Sequence, residues 1–179
     1  MNELLSVLRR DAEDRLLHVE QIPARPGRTG QWPAWADADL VAGYRRLGVT
    51  EPWQHQVEAA ESVWAGRHTV LATATGSGKS LAAWLPAISA VREGTEAAAG
   101  PEAGRITGYS RRPTTLYLSP TKALAADQLA GLERLLAASS LRGVRPATCD
   151  GDTPMEERQW VRDHADIVLS NPDFLHFSL

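Results

Sequence analysis

The chain of 179 residues is poor in several features that define whole classes of protein. It has one cysteine, Cys149, which excludes a disulfide framework and any zinc site built on several cysteines. A reducing, cytoplasmic setting suits such a chain. No apolar run approaches the roughly 18 residues that a membrane helix needs. The opening MNELLSVLRRDAEDR is charged throughout and does not resemble a signal peptide, so no membrane partner is expected. Net charge is only −3, so attraction of nucleic acid by the molecule as a whole is not expected. A local basic site is still possible, because screening confines each charge to about 10 Å. Lysine is the scarcest cation: of 19 basic residues only Lys79 and Lys122 are lysine. In a chain so rich in arginine and alanine, these two mark places where an ammonium fits and a guanidinium does not, or they stand there by chance.

What remains is ordinary for a soluble globular protein, with 43% hydrophobic and 23% charged residues, which excludes global disorder and a fibre. The length is that of about one domain. Residues 3–18 set Leu4, Leu5, Val7, Leu8, Leu16 and Leu17 among charges at helical spacing and predict an amphipathic helix. Residues 21–35, with three prolines and two glycines, read as an extended connector whose Trp32 and Trp35 dock on a surface. A helix over 38–47 ends at Gly48, and a second starts at Pro52 and reaches Trp64.

From residue 68 the pattern changes to alternating strand and helix. HTVLATA at 68–74 reads as a strand, and 79–91 as a helix that Pro86 bends or ends. Residues 93–112 lack periodicity and read as a mobile surface insertion. A strand over 114–119, a helix over 122–138, a weaker strand over 144–149, a helix over 154–164 and a strand over 166–170 follow. Asn171-Pro172-Asp173 opens a last turn of helix. Four alternations argue for an α/β fold, a parallel sheet covered by helices.

Between the first strand and its helix lies Ala72-Thr73-Ala74-Thr75-Gly76-Ser77-Gly78-Lys79-Ser80. Glycines at 76 and 78 let the backbone turn tightly and aim its N–H groups inward, and the following helix adds the positive end of its dipole. This is a phosphate-binding loop, with Lys79 placed to reach β- and γ-phosphates and Ser80 to ligate Mg²⁺ through its hydroxyl. ATP and Mg²⁺ are the ligands it predicts, and Lys79 the residue that bears on catalysis. The general pattern has glycine where this chain has Thr73, so the loop departs from the commonest kind.

With these motifs the chain resembles the DEAD/DEAH-box helicases of superfamily two, over residues 38–179. The loop is similar to the helicase form AxTGxGK[ST]. Gln56, in Trp53-Gln54-His55-Gln56, stands where the family's Q motif reads adenine through a side-chain amide. Gln54 is a second candidate, and an exposed helical glutamine is the plain alternative. The stretch Ser119-Pro120-Thr121-Lys122-Ala123-Leu124-Ala125-Ala126-Asp127-Gln128-Leu129 resembles motif Ia. A strand end, a proline turn and a helix N-terminus there present N–H groups, a Thr hydroxyl and a Lys to a nucleic-acid phosphate. DGDTP and NPDFLH are similar to the later strand-gripping loops of the mitomycin-repair type, DNA helicases with a C-terminal zinc domain. The resemblance implies backbone contacts at Pro120, Thr121, Lys122, Gly151, Asp152, Asn171, Pro172 and Asp173. The plain alternative is that Asp152 or Thr153 is the N-cap of the next helix.

The family's DExH box does not occur within these residues, nor does the second RecA-like lobe with its arginine finger. The expected organisation is an N-terminal helix and connector over 1–36. An incomplete RecA-like (P-loop NTPase) parallel sheet with flanking helices follows over 37–179, ending before the DExH box. The expected function is that of the N-terminal part of an ATP-dependent DNA helicase or translocase, gripping the backbone of single-stranded DNA. The missing lobe is its partner, and the piece alone is inactive. The alternatives are an RNA-acting DEAD-box remodeller and a non-catalytic module that binds nucleotide or nucleic acid.

Overall fold

The computed structural model describes residues 6–7, 18–23, 26–99 and 113–178. Of the helix expected over 3–18 only residues 6, 7 and 18 are described, and residues 100–112 of the expected insertion lie outside the described residues. From residue 38 the described elements run in the order α1 (Ala38–Arg46), α2 (Gln54–Trp64), α3 (Lys79–Ala99), β1 (Thr115–Leu118), α4 (Lys122–Ala138), β2 (Pro146–Thr148), α5 (Met155–His164), β3 (Ile167–Ser170) and α6 (Pro172–Ser178).

The three strands form a parallel sheet in the order β1-β3-β2. Thr115 to Leu118 stand against Ile167 to Ser170, and Pro146 to Thr148 against Ile167 to Leu169. The central strand is the most apolar, as a strand paired on both sides and covered by helices must be: Ile167 and Leu169 are fully buried. Around them pack Leu85, Ile88 and Val91 of α3 and Leu132, Leu135 and Leu136 of α4. Just before β3, the buried Asp166 accepts hydrogen bonds from the Arg145 backbone N–H at 2.9 Å and from its Nε at 3.3 Å. That pair fixes the register of β2 against β3.

α1 starts at Asp37, whose Oδ1 accepts from the Leu40 N–H at 2.9 Å, and the same carboxylate meets Arg92 Nε of α3 at 3.2 Å. α1 lies so close to the end of α4 that a Cβ on Gly43 would fall inside the Ser139 side chain. The connector docks as expected. Trp32 stacks on Tyr44 at 5.5 Å and donates to the Thr50 carbonyl, while Trp35 stacks on Trp64 at 4.4 Å and donates to Glu61. Thr29 also pairs with Trp53 in an antiparallel bridge.

Three expectations are corrected. Residues 68–74 join no ladder; the side chains keep the alternating exposure of a strand, with Val70 93% exposed. Alternation records an extended backbone, whereas a strand also needs a neighbour, and among the described residues this segment has none. α3 does not stop near Pro86 or at residue 91 but continues to Ala99. Leu85 and Ile88 on either side of the proline are fully buried, and the glutamate and alanines that follow are strong helix formers. Pro52 precedes α2, with Trp53 as the N-cap, because the Pro52 carbonyl is held by Gly30 N–H at 2.8 Å.

Leu85→Ala should lower stability by about 2–5 kcal/mol through the cavity it leaves, whereas Val70→Ala should change it by less than about 0.5 kcal/mol. Chemical denaturation of the two variants beside the parent chain checks both values.

Candidate functional site

The glycine loop sits on the first turn of α3, with Thr75 and Gly76 as its exposed tip. Gly76 has φ +78° and Gly78 φ +73°, the left-handed region that residues with a Cβ avoid. At Gly78 space is a second constraint, since a Cβ would come within 2.4 Å of Gln56 Nε2. Thr73 Oγ1 and Ser77 Oγ are 2.6 Å apart and close the loop across its base. Lys79 Nζ donates to the carbonyls of Thr73 and Ala74, both at 2.9 Å. An ammonium has three N–H donors, so one is left to turn outwards.

Gln56 is 4% exposed, not an exposed helical glutamine. Its Oε1 accepts from the Trp53 N–H at 2.8 Å, and its Nε2 donates to the carbonyls of Gly78 at 2.9 Å and Ser77 at 3.3 Å. The amide therefore clamps the loop against the start of α2. Reading adenine would need these bonds to be exchanged. His55 Nε2 lies 3.2 Å from the Ser77 carbonyl as a second brace. Gln54, the other candidate, donates to Glu58 instead.

Ser80 is exposed, and its hydroxyl donates to Gln128 Oε1 of α4 at 2.9 Å. The hydroxyl's lone pairs stay free, a hard oxygen donor of the type Mg²⁺ takes. Among the described residues no group of three or more His, Cys, Asp or Glu is placed to hold a metal. Ser80 thus fits a Mg²⁺ whose other ligands are phosphate oxygens and water.

All three strands are parallel, so the loops after them open at one edge of the sheet, where ligands of open α/β sheets bind. A groove of about 510 Å³ runs there, lined by Pro120, Lys122, Gly151, Asn171 and Asp173 together with Arg158 and Phe174. Thr121 caps α4, its Oγ1 accepting from the Leu124 N–H at 3.2 Å. Asn171 does the same for α6, which begins at Pro172; its Oδ1 accepts from the Phe174 N–H at 2.8 Å. Asp152 and Thr153 cap nothing, since Pro154 is the N-cap of α5 and has no side-chain bond. Asp152 instead pairs with Lys122 at 2.5 Å, and its N–H goes to Asp150 Oδ1. The hydrogen bond to Asp152 holds the Lys122 ammonium above the usual lysine range, helped by the charges of Asp152 and Asp150. Its charge and its pairing are complete at neutral pH and are lost only as pH rises through that raised value.

Two contributors receive no role from the sequence. Arg158 donates to the carbonyls of Thr153 at 2.7 Å and Gly151 at 3.1 Å and lies 4.9 Å from the Phe174 ring centre, so it shapes the Gly151 loop from α5. Gln128 was visible as part of the quoted helix, but its contact spans 48 residues. Cys149 is half-buried beside this loop, and burial pushes its thiol up against the smaller opposing pull of Arg158.

The DEAD/DEAH box helicase family matches residues 53–179, and the chain belongs to that family. It is 32% identical to the ATP-dependent helicase hrq1 of Schizosaccharomyces pombe over 138 residues, 76% of this chain and 12% of that protein. It is 32% identical over its whole length to the uncharacterized ATP-dependent helicase YprA of Bacillus subtilis, of which it covers 21%. The chain thus spans about a fifth or less of these relatives. Among solved structures, the DUF1998 helicase MrfA bound to DNA and AMPPNP superposes with a TM-score of 0.76 at 32% identity, over 98% of this chain and 22% of that one. The Mycobacterium smegmatis helicase Lhr bound to ssDNA and AMP-PNP gives 0.57 at 25% identity, over 78% of this chain and 17% of that one. The fold is that of a RecA-like helicase core. Among the described residues no helix is long and apolar enough to cross a membrane.

Two outcomes follow from this geometry. Gly78→Ala should cost about 1–2 kcal/mol from backbone handedness alone, and more once Gln56 is displaced, as denaturation will show. Cys149 should react with iodoacetamide at pH 8 more slowly than free cysteine, which a timed mass-spectrometric assay measures.

Proposed function

We propose that residues 37–179 are the nucleotide-binding and strand-gripping part of an ATP-dependent DNA helicase or translocase. Residues 1–36 form an extension ahead of that part. The observation that carries the reading is the placement of the glycine loop and three backbone-presenting loops in one parallel α/β unit, joined by the Ser80–Gln128 hydrogen bond. Residues 73–79 wrap the phosphates of ATP, and Lys79 sets a point charge against the β- and γ-phosphates. Ser80 holds Mg²⁺, which neutralises charge on the phosphates when bound. Gln56 meets the adenine edge by exchanging its loop contacts for the base. Lys122, the Thr121 region, the Gly151–Asp152 loop and the Asn171–Pro172–Asp173 turn face successive phosphates of a single strand. Because these contacts go to backbone, sequence preference is low and salt dependence strong.

DNA is favoured over RNA because MrfA and Lhr, both at 25% identity or more, were captured with DNA or ssDNA. The RNA reading draws on the RNA helicase MAK5 of Coccidioides immitis, 29% identical over 143 residues. Competition between oligothymidylate and oligouridylate on the full-length protein separates the two. Stepping and hydrolysis belong to the whole protein, with a second RecA-like lobe closing on the nucleotide.

In the full-length protein Lys79→Ala should abolish ATP binding; unchanged affinity in that variant would sink the assignment. Lys122→Ala should weaken single-strand binding about equally for all sequences and reduce the salt slope by about one. Parent affinity should stay flat from about pH 6 to 9 as far as Lys122 contributes, and a titration in that range reads it.

A further inference from the structure

We infer that Gln128 is a positioning residue. It orients the Ser80 hydroxyl towards a phosphate-bound Mg²⁺ and ties that hydroxyl to the helix whose first turn faces the nucleic-acid strand. The inference rests on the nucleotide-loop reading above. A serine hydroxyl has one proton and two lone pairs. Where the proton goes fixes where the lone pairs point, and here it goes to Gln128 Oε1 at 2.9 Å, across 48 residues of chain. Partners of this outer kind set ligand orientation, and their loss costs metal affinity.

Gln128 lies on α4 six residues after Lys122, about 9 Å along the axis at 1.5 Å per residue. The same helix is capped by Thr121 and carries the Lys122–Asp152 pair at its start. α4 packs through Leu132, Leu135 and Leu136 into the core that holds α3, so its first two turns move as one body. A strand that draws Lys122 from Asp152 acts on the first turn of α4, and a cation at Ser80 acts on its second. Each ligand then alters the affinity of the other by the same factor, as linkage requires.

The test is the Mg²⁺ concentration for half-maximal ATP binding, measured on the full-length protein with and without oligothymidylate. Gln128→Met removes the acceptor at similar size, and Gln128→Glu restores it. Gln128→Met should raise the half-maximal Mg²⁺ about tenfold, leave ATP binding in EDTA unchanged, and remove the effect of oligothymidylate. Gln128→Glu should stay within about twofold of the parent. In a Ser80→Ala background Gln128→Met should have no further effect, which a general structural role would not predict. A Gln128→Met protein with parental Mg²⁺ dependence and parental response to oligothymidylate overturns the inference. If the parent binds ATP no better than Lys79→Ala does, it is the nucleotide-loop reading that has failed.

Discussion

The side-chain amide of Gln56 is the constraint on which the phosphate loop depends. The chain enters that loop from residues 68–74, which have no ladder partner among the described residues, so the approach does not fix where the loop lies. What fixes it is the first turn of α3 on one side and Gln56 on the other. Gln56 holds the carbonyls of Ser77 and Gly78 and takes the Trp53 N–H at its own oxygen. Only a carboxamide joins two carbonyl acceptors and an N–H donor through one group. The amide takes up the carbonyls of Ser77 and Gly78, while the Ser77 N–H turns back to the Ala74 carbonyl at 3.4 Å; in the proposed nucleotide site the other loop N–H groups face the anion.

The two lysines divide the charge of the site between them. Lys79 is tied to carbonyls of its own loop, partners that carry no net charge and that, in the proposed nucleotide site, give way to phosphate. Lys122 is tied to a carboxylate, so a phosphate takes it only by replacing Asp152. That pair is exposed, and exposed pairs are worth little in water, so the exchange is easily made in either direction. Arginine in either place would bring a larger planar fork, which neither the closed glycine loop nor the single Asp152 contact calls for.

Local rules made much of this molecule legible. α4 occupies 122–138 as its periodicity requires, and the alternation after residue 113 gives a parallel sheet. Reading failed where the deciding contact was distant. The β-branched, apolar run of 68–74 is visible in sequence, but a ladder is made by another segment. Pro86 is a local breaker overridden by the burial of Leu85 and Ile88. At the site, residue types were more legible than partners. Gln56 stands out by its resemblance to the family's Q motif, yet its bonds to the loop follow from how α2 lies against it. Gln128 and Arg158 act across the fold, and neither lies in a spacing that announces the contact.

Two of the chain's 19 basic residues line the groove, a weak basis for holding a polyanion by charge alone. The groove at the sheet edge carries Lys122 and Arg158, but the first is neutralised by Asp152 and the second is occupied by the carbonyls of Gly151 and Thr153. Asp173 adds a further carboxylate to the lining. What the groove adds is backbone N–H at the starts of helices, each set at the end of a strand, beyond those already taken by Thr121 and Asn171. A phosphate gripped there meets N–H groups and a dipole, which are weaker than a cation but fixed in direction. Few standing cations keep attraction local, and a strand held mainly by oriented N–H groups is released when the loops shift. In the proposed translocase, that ease of release is what repeated stepping along a backbone requires.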